Sequence, residues 1–124
     1  MKSNVLIVDD QPDIRKLIIM TMESDDYNLH ETDNGVDALR LAQNLRPAVV
    51  LLDVMMPGAL DGYQVCAEIK SNEILKKVTK VILLTARGQR TDVERGKAAG
   101  CDAYLVKPFS PIELLETVEL LAAR

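Results

Sequence analysis

Short apolar runs and amphipathic segments alternate five times along this chain. Val5–Val8, Val49–Asp53, Val81–Leu84 and Ala103–Val106 read as strands, and Tyr27–Thr32 as a more polar and more exposed one. Between them the apolar positions recur at helical spacing. Pro12 opens the first helix with Asp13 in its first turn and Ile14, Leu17, Ile18 and Thr21 or Met22 on one face. Asn34 caps a second helix carrying Ala38, Leu41, Ala42 and Leu45, and Pro47 ends it. Asp61 caps a third with Val65, Cys66 and Ile69 facing inward, and Ser71–Thr79 follows as one more turn and a polar connection. Thr91–Ala99 is a fourth helix with a weak apolar face, an internal Gly96 and Gly100 as its C-terminal cap. Ser110, Pro111 and Glu113 form a capping box with proline at the first helical position, opening a last helix on Leu114, Leu115, Val118, Leu121 and Ala122.

Strands alternating with helices imply parallel pairing and right-handed crossovers, an α/β doubly wound sheet. The apolar first, third and fourth strands belong at its centre, covered on both faces. With 124 residues and no repeat, linker or low-complexity tract, residues 1–124 are expected to form one domain.

Composition narrows the function. At 48% hydrophobic and 27% charged the chain is an ordinary globular one, and a net charge of -4 argues against direct nucleic-acid binding. The longest apolar run, Ala48 to Leu52, is far too short for a membrane span, and Asp9 interrupts any signal-peptide core. A cytoplasmic location is expected, and no membrane partner. Cys66 and Cys101 lack CxxC spacing and read as reduced thiols packed as small hydrophobes. His30 reads as structural, and the basic stretch Arg87–Lys97 as a solvated helix face.

In open parallel sheets ligands bind beyond the carboxyl ends of the strands. Asp9 and Asp10 end the first strand, Asp53 the third, Thr85 and Ala86 the fourth, Lys107 and Pro108 the fifth. Glu31, Thr32 and Asp33 end the second, at an outer edge. Singly these residues are unremarkable: Asp9 and Asp10 read equally as solvated loop acids, Lys107 as a surface lysine. Together they place three acids on one edge of the sheet, where mutual repulsion would raise their pKa values unless a divalent cation joined them. Oxygen donors suit Mg²⁺, Lys107 adds a compact positive charge, and the set fits phosphoryl transfer, in which an Asp carboxylate can itself accept phosphate.

The segments "VLIVDD", "LLDVMMPG", "DG", "VILLTA", "AAGCDAYLVKPF" and "SPIELLETV" resemble a response-regulator receiver domain of two-component signalling, over essentially the whole chain. The resemblance implies a flavodoxin-like five-stranded parallel sheet in the order 2-1-3-4-5 with five helices. It implies a phosphorylation-dependent switch, of the stand-alone single-domain type, rather than an enzyme. Asp53 would take a phosphoryl group from a histidine kinase or a histidine phosphotransfer protein. Asp10 would ligate Mg²⁺ (or Mn²⁺) directly and Asp9 through water, with Asp53 and the Met55 backbone carbonyl completing the protein's share. Lys107 would meet Asp53 or a phosphoryl oxygen, next to a cis Lys107–Pro108 peptide. Thr85 and the Ala86 N–H would bind phosphoryl oxygens, and Tyr104 would be the aromatic of the switch pair with Thr85. Output would pass to a separate effector protein, or else the chain is a receiver excised from a longer protein.

Met55 and Arg87 lie two residues beyond Asp53 and Thr85, where side chains border the phosphoryl group and would tune its lifetime; neither is a general base. Ala59 and Leu60 stand where the family commonly has a single residue between "MPG" and "DG", which puts the path of that loop in question. Three other readings compete. An aspartyl phosphatase of one large family needs a second Asp two residues after its nucleophile, where Met55 stands. A flavodoxin-like nucleotide binder needs a Gly-, Ser- or Thr-rich first turn, where "DDQPD" is acidic. A phosphorylation-independent receiver-like module would not need Asp9, Asp10, Asp53, Thr85 and Lys107 intact.

Overall fold

The computed structural model describes residues 2–86 and 90–123. In chain order the elements are β1 (Ser3–Val8), α1 (Pro12–Met22), β2 (Tyr27–Thr32), α2 (Gly35–Leu45), β3 (Val49–Asp53), α3 (Gly62–Ser71), α4 (Leu75–Val78), β4 (Lys80–Thr85), α5 (Arg90–Ala99), β5 (Ala103–Val106) and α6 (Pro111–Ala122). The strands form one parallel sheet in the order β2-β1-β3-β4-β5. The expected fold class and central strands are therefore present.

Because side chains alternate across a strand, each central strand feeds two cores. Val5, Ile7, Val49, Leu51, Ile82 and Leu84 face Ile18 and Met22 of α1 and Leu114, Val118 and Leu121 of α6. Leu6, Val8, Val50, Leu52, Val81 and Leu83 face Ala38 and Ala42 of α2 and Val65, Cys66 and Ile69 of α3. Burial on both faces explains why these strands read as unbroken apolar runs. It also pushes the Cys66 thiol up to about 12 and raises that of Cys101, so both pack as thiols rather than as nucleophiles.

The helix count needs correction: there are six helices rather than five among the described residues. The additional one, α4, is a single turn. The Asn72 side chain accepts from the N–H groups of Ile74 and Leu75 at 2.9 and 3.0 Å, which starts it. Buried Leu75 anchors it, and the Thr79 hydroxyl donates to the Pro47 carbonyl at 2.7 Å beyond its end. The second helix stops one residue earlier than Pro47 alone would require, since Arg46 adopts a left-handed conformation (φ 46°) and its N–H donates to the Ala42 carbonyl. At α3, Asp61 and Gln64 form a reciprocal capping box, both bonds 2.9 Å. At α6 the Ser110 hydroxyl accepts from the Glu113 N–H at 3.0 Å.

Candidate functional site

The carboxyl ends of β1, β3, β4 and β5 border one open cleft of about 520 Å³, lined by Asp10, Gln11, Asp53, Met55, Met56, Pro57, Ala86 and Lys107. Asp53 sits at its floor, only 4% exposed, at the end of a strand whose five residues are all buried. Oxygens of Asp9, Asp10 and Asp53 all lie within 4.8 Å of one another. Asp9 is fully buried and Asp10 half-buried.

Lys107 joins two of these acids. Its Nζ lies 2.9 Å from Asp9 Oδ2 and 3.5 Å from Asp53 Oδ1. The shorter contact is thus to Asp9, not to the proposed acceptor. The Lys107–Pro108 peptide is cis, and the Lys107 N–H donates to the Thr85 carbonyl at 2.6 Å. One ammonium does not neutralise the cluster. The Asp53 carboxyl is pushed up to about 6, first by burial and then by the Asp9 charge, with Asp10 adding to the effect. Lys107 and the Met55 N–H, which donates to Asp53 Oδ1 at 3.3 Å, oppose that rise.

The loop after Asp53 holds its shape through close packing. The Gly62 N–H donates to the Val54 carbonyl at 3.1 Å. A Cβ on Gly62 would lie 2.3 Å from the Asp53 carbonyl oxygen, so the start of α3 approaches the acceptor strand as only glycine allows. Met55 is 54% exposed and lines the cleft. Of the lengthened segment, Ala59 is exposed whereas Leu60 is half-buried against the α2–α3 core, with its carbonyl against Gly35 at the start of α2.

Thr85 is fully buried at the end of β4, and Ala86 is exposed on the cleft wall. Tyr104 is half-buried on β5, its ring against Gly96, where a Cβ would come within 3.2 Å of Cδ2. That contact gives Gly96 its reason: α5 passes close over Leu83 and Tyr104. Arg87 lies outside the described residues.

Several neighbours of the site escape a reading of the sequence. The Gln11 N–H donates to Asp9 Oδ1 at 2.9 Å. Arg15 donates to the Asp9 carbonyl at 2.8 Å and pairs with Glu31 at 2.9 Å. Tyr63 is hydrogen-bonded to Tyr104, donates to the Asp92 carbonyl at 3.3 Å, and lies under the Arg95 guanidinium at 4.2 Å; burial pushes its phenol up to about 12. Gln11 is a local contact two residues from Asp9, whereas nothing in the spacing of Arg15 and Tyr63 marks them, because Glu31, Asp92 and Tyr104 belong to other elements.

The donor set suits a divalent cation. It consists of carboxylate oxygens, hard ligands of the kind Mg²⁺ prefers, and the three acids outnumber the one ammonium that joins two of them. Among the described residues no helix is long and apolar enough to cross a membrane.

Known proteins resemble this chain in sequence and in fold. Residues 5–119 match the family model of the response regulator receiver domain. The transcriptional regulatory protein SrrA of Staphylococcus aureus is 40% identical over 124 residues, which are 100% of this chain and 49% of SrrA. The chain thus spans about half the length of that relative. The BeF3-activated DrrB receiver domain superposes with a TM-score of 0.89 at 33% identity, covering 100% of both chains. The chemotaxis response regulator CheY4 of Vibrio cholerae does so with a TM-score of 0.88 at 30% identity, covering 98% of this chain and 99% of that one.

Proposed function

Since this chain belongs to the response regulator receiver domain family of two-component signalling, we propose that its switch is thrown by phosphorylation of Asp53. The family acts as a signalling switch rather than as a classical enzyme. The observation that carries the assignment is the place of Asp53: a buried carboxylate at the end of β3, on the cleft floor, with the Lys107 ammonium bridging it to Asp9. The donor is the phosphohistidine of a kinase or phosphotransfer protein. An Asp53 carboxylate oxygen attacks phosphorus, the P–N bond to the imidazole breaks, and that nitrogen takes a proton.

Asp10, Asp53 and the Met55 carbonyl, with Asp9 acting through water, would hold the cation. Mg²⁺, when bound, would offset the charge of the acids and of the incoming phosphoryl oxygens. Lys107 sits within reach of both Asp9 and Asp53 to follow the charge as it moves. Thr85 and the Ala86 N–H bind the transferred group. Tyr104 then repacks with Thr85, altering the α5–β5–α6 surface that a downstream effector in the cytoplasm reads. Met55, open to the cleft, limits water access and with Arg87 sets the lifetime of the acyl phosphate.

SrrA, a transcriptional regulatory protein by name, is a relative of the kind whose output such a switch would govern. The structure described as BeF3-activated belongs to a receiver that shares this whole fold, which supports a site receptive to a phosphoryl-like group. Labelling with a small phosphodonor such as acetyl phosphate tests the acceptor. Mg²⁺-dependent incorporation is expected in the wild type and none in Asp53→Asn; incorporation that persists in the variant refutes the assignment.

A further inference from the structure

Asp9 is gripped at four points. Its N–H donates to the Thr32 carbonyl at 3.2 Å, and its Oδ1 accepts from the Gln11 N–H. Its Oδ2 meets Lys107, and its carbonyl accepts from Arg15 Nη1 at 2.8 Å. The last contact differs in kind, because a carbonyl oxygen lies in the plane of the peptide that follows it. That peptide joins Asp9 to Asp10, so the Arg15 guanidinium orients the link between both acids at the end of β1. Arg15 is itself held: its side chain is 17% exposed, and Nε donates to Glu31 Oε1 at 2.9 Å. Glu31 belongs to β2, the edge strand that contributes no acid to the cluster. One guanidinium thus uses two of its fixed donors to tie the β2 end to the peptide between the acids, which a lysine's single ammonium cannot reproduce in the same geometry.

We propose that Arg15 is the positioning residue of the acidic cluster: by holding the Asp9–Asp10 peptide plane it sets the geometry in which the two carboxylates receive a divalent cation, and Glu31 holds Arg15 in that pose. This rests on the reading of the cluster as a Mg²⁺ site.

Charge and positioning make opposite predictions for Arg15. Removing a cation bonded to the backbone of one of the acids should by electrostatics alone tighten Mg²⁺ binding. Removing a residue that orients the ligands should weaken it, by about tenfold on the scale of such supporting contacts. Calorimetric Mg²⁺ titration of the wild type, Arg15→Gln, Arg15→Lys, Glu31→Gln and Asp10→Asn separates the two. Weakening is expected in Arg15→Gln with partial recovery in Arg15→Lys. Affinity equal to or tighter than wild type in Arg15→Gln overturns the proposal. Urea unfolding in EDTA runs alongside, because a merely structural role would lower stability and leave the Mg²⁺ affinity of the folded protein unchanged.

Glu31, 47% exposed, provides an arm that should not compromise folding. Its substitution also removes a negative charge, but that effect fades at high salt. A weakening relative to wild type that persists at high salt is expected, and one that disappears there counts against the clamp. If Asp10→Asn abolishes binding while the Arg15 variants leave it intact, the positioning role alone falls. If the wild type takes up no Mg²⁺, or Asp10→Asn binds it normally, the site reading fails and the proposal with it.

Discussion

Asp53→Asn should make the metal-free protein more stable at neutral pH while removing the phosphoryl acceptor. Asp53 is 4% exposed and its carboxyl is pushed from 3.8 up to about 6, by burial, then by Asp9 and, less, by Asp10, against the pull of Lys107 and the Met55 N–H. The folded protein therefore holds this proton more tightly than the unfolded chain does. As pH rises from 3.8 towards about 6, the unfolded chain loses the proton first, and folding stability falls through that window. Below it the penalty is absent; above it the penalty is complete and amounts to about 3 kcal/mol. Asparagine keeps the shape and an oxygen for the Met55 N–H but carries no charge. A gain of about 2–3 kcal/mol is expected at pH 7.5, or about 5–10 °C in Tm for a domain of this size. At pH 4 the gain should nearly vanish. Urea unfolding followed by far-UV circular dichroism in EDTA at both pH values measures it. Saturating Mg²⁺ at pH 7.5 should narrow the difference, because the cation stabilises the wild type more than the variant. Equal or lower stability of the variant at pH 7.5, or a gain of the same size at pH 4, would show that Asp53 is not held at an electrostatic cost.

Lys107→Met should have two opposed effects. It strands the buried Asp9 carboxylate, destabilising the metal-free protein by about 3 kcal/mol, and it removes a cation that competes for the acids, so that Mg²⁺ binds more tightly by calorimetry. Gly62→Ala drives a methyl to 2.3 Å from the Asp53 carbonyl oxygen and 2.6 Å from Val54 Cα, both backbone atoms. It should cost about 3 kcal/mol in urea unfolding and slow labelling by acetyl phosphate, and wild-type values for both would contradict the close approach.

What could be read ahead of the structure was whatever a residue's own place in its element decides. The end of β3 is visible because an apolar run stops at Asp53, and its start because Pro47 breaks the preceding helix. Asn34, Asp61 and Ser110 act as caps through bonds reaching only three residues ahead, so local spacing reveals them. The same locality explains what was missed. Helix α4, expected only as one more turn somewhere in Ser71–Thr79, is too short to show a period, and its start rests on an Asn72 side chain that resembles any loop asparagine. Arg15 meets Glu31 only because β1 pairs with β2, which brings Thr32 to the Asp9 N–H. Tyr63 meets Tyr104 only because α3 and β5 both pack against α5. The lengthened loop is the instructive intermediate. Counting residues reveals the extra position between Gly58 and Asp61, but not which side chain takes up the added length. The structure divides the work: Ala59 stays in solvent, while Leu60 turns onto the core and closes against Gly35. A pair that looked like a bare insertion therefore ties the start of α2 to the loop carrying Met55, and the departure from the family pattern becomes a packing contact.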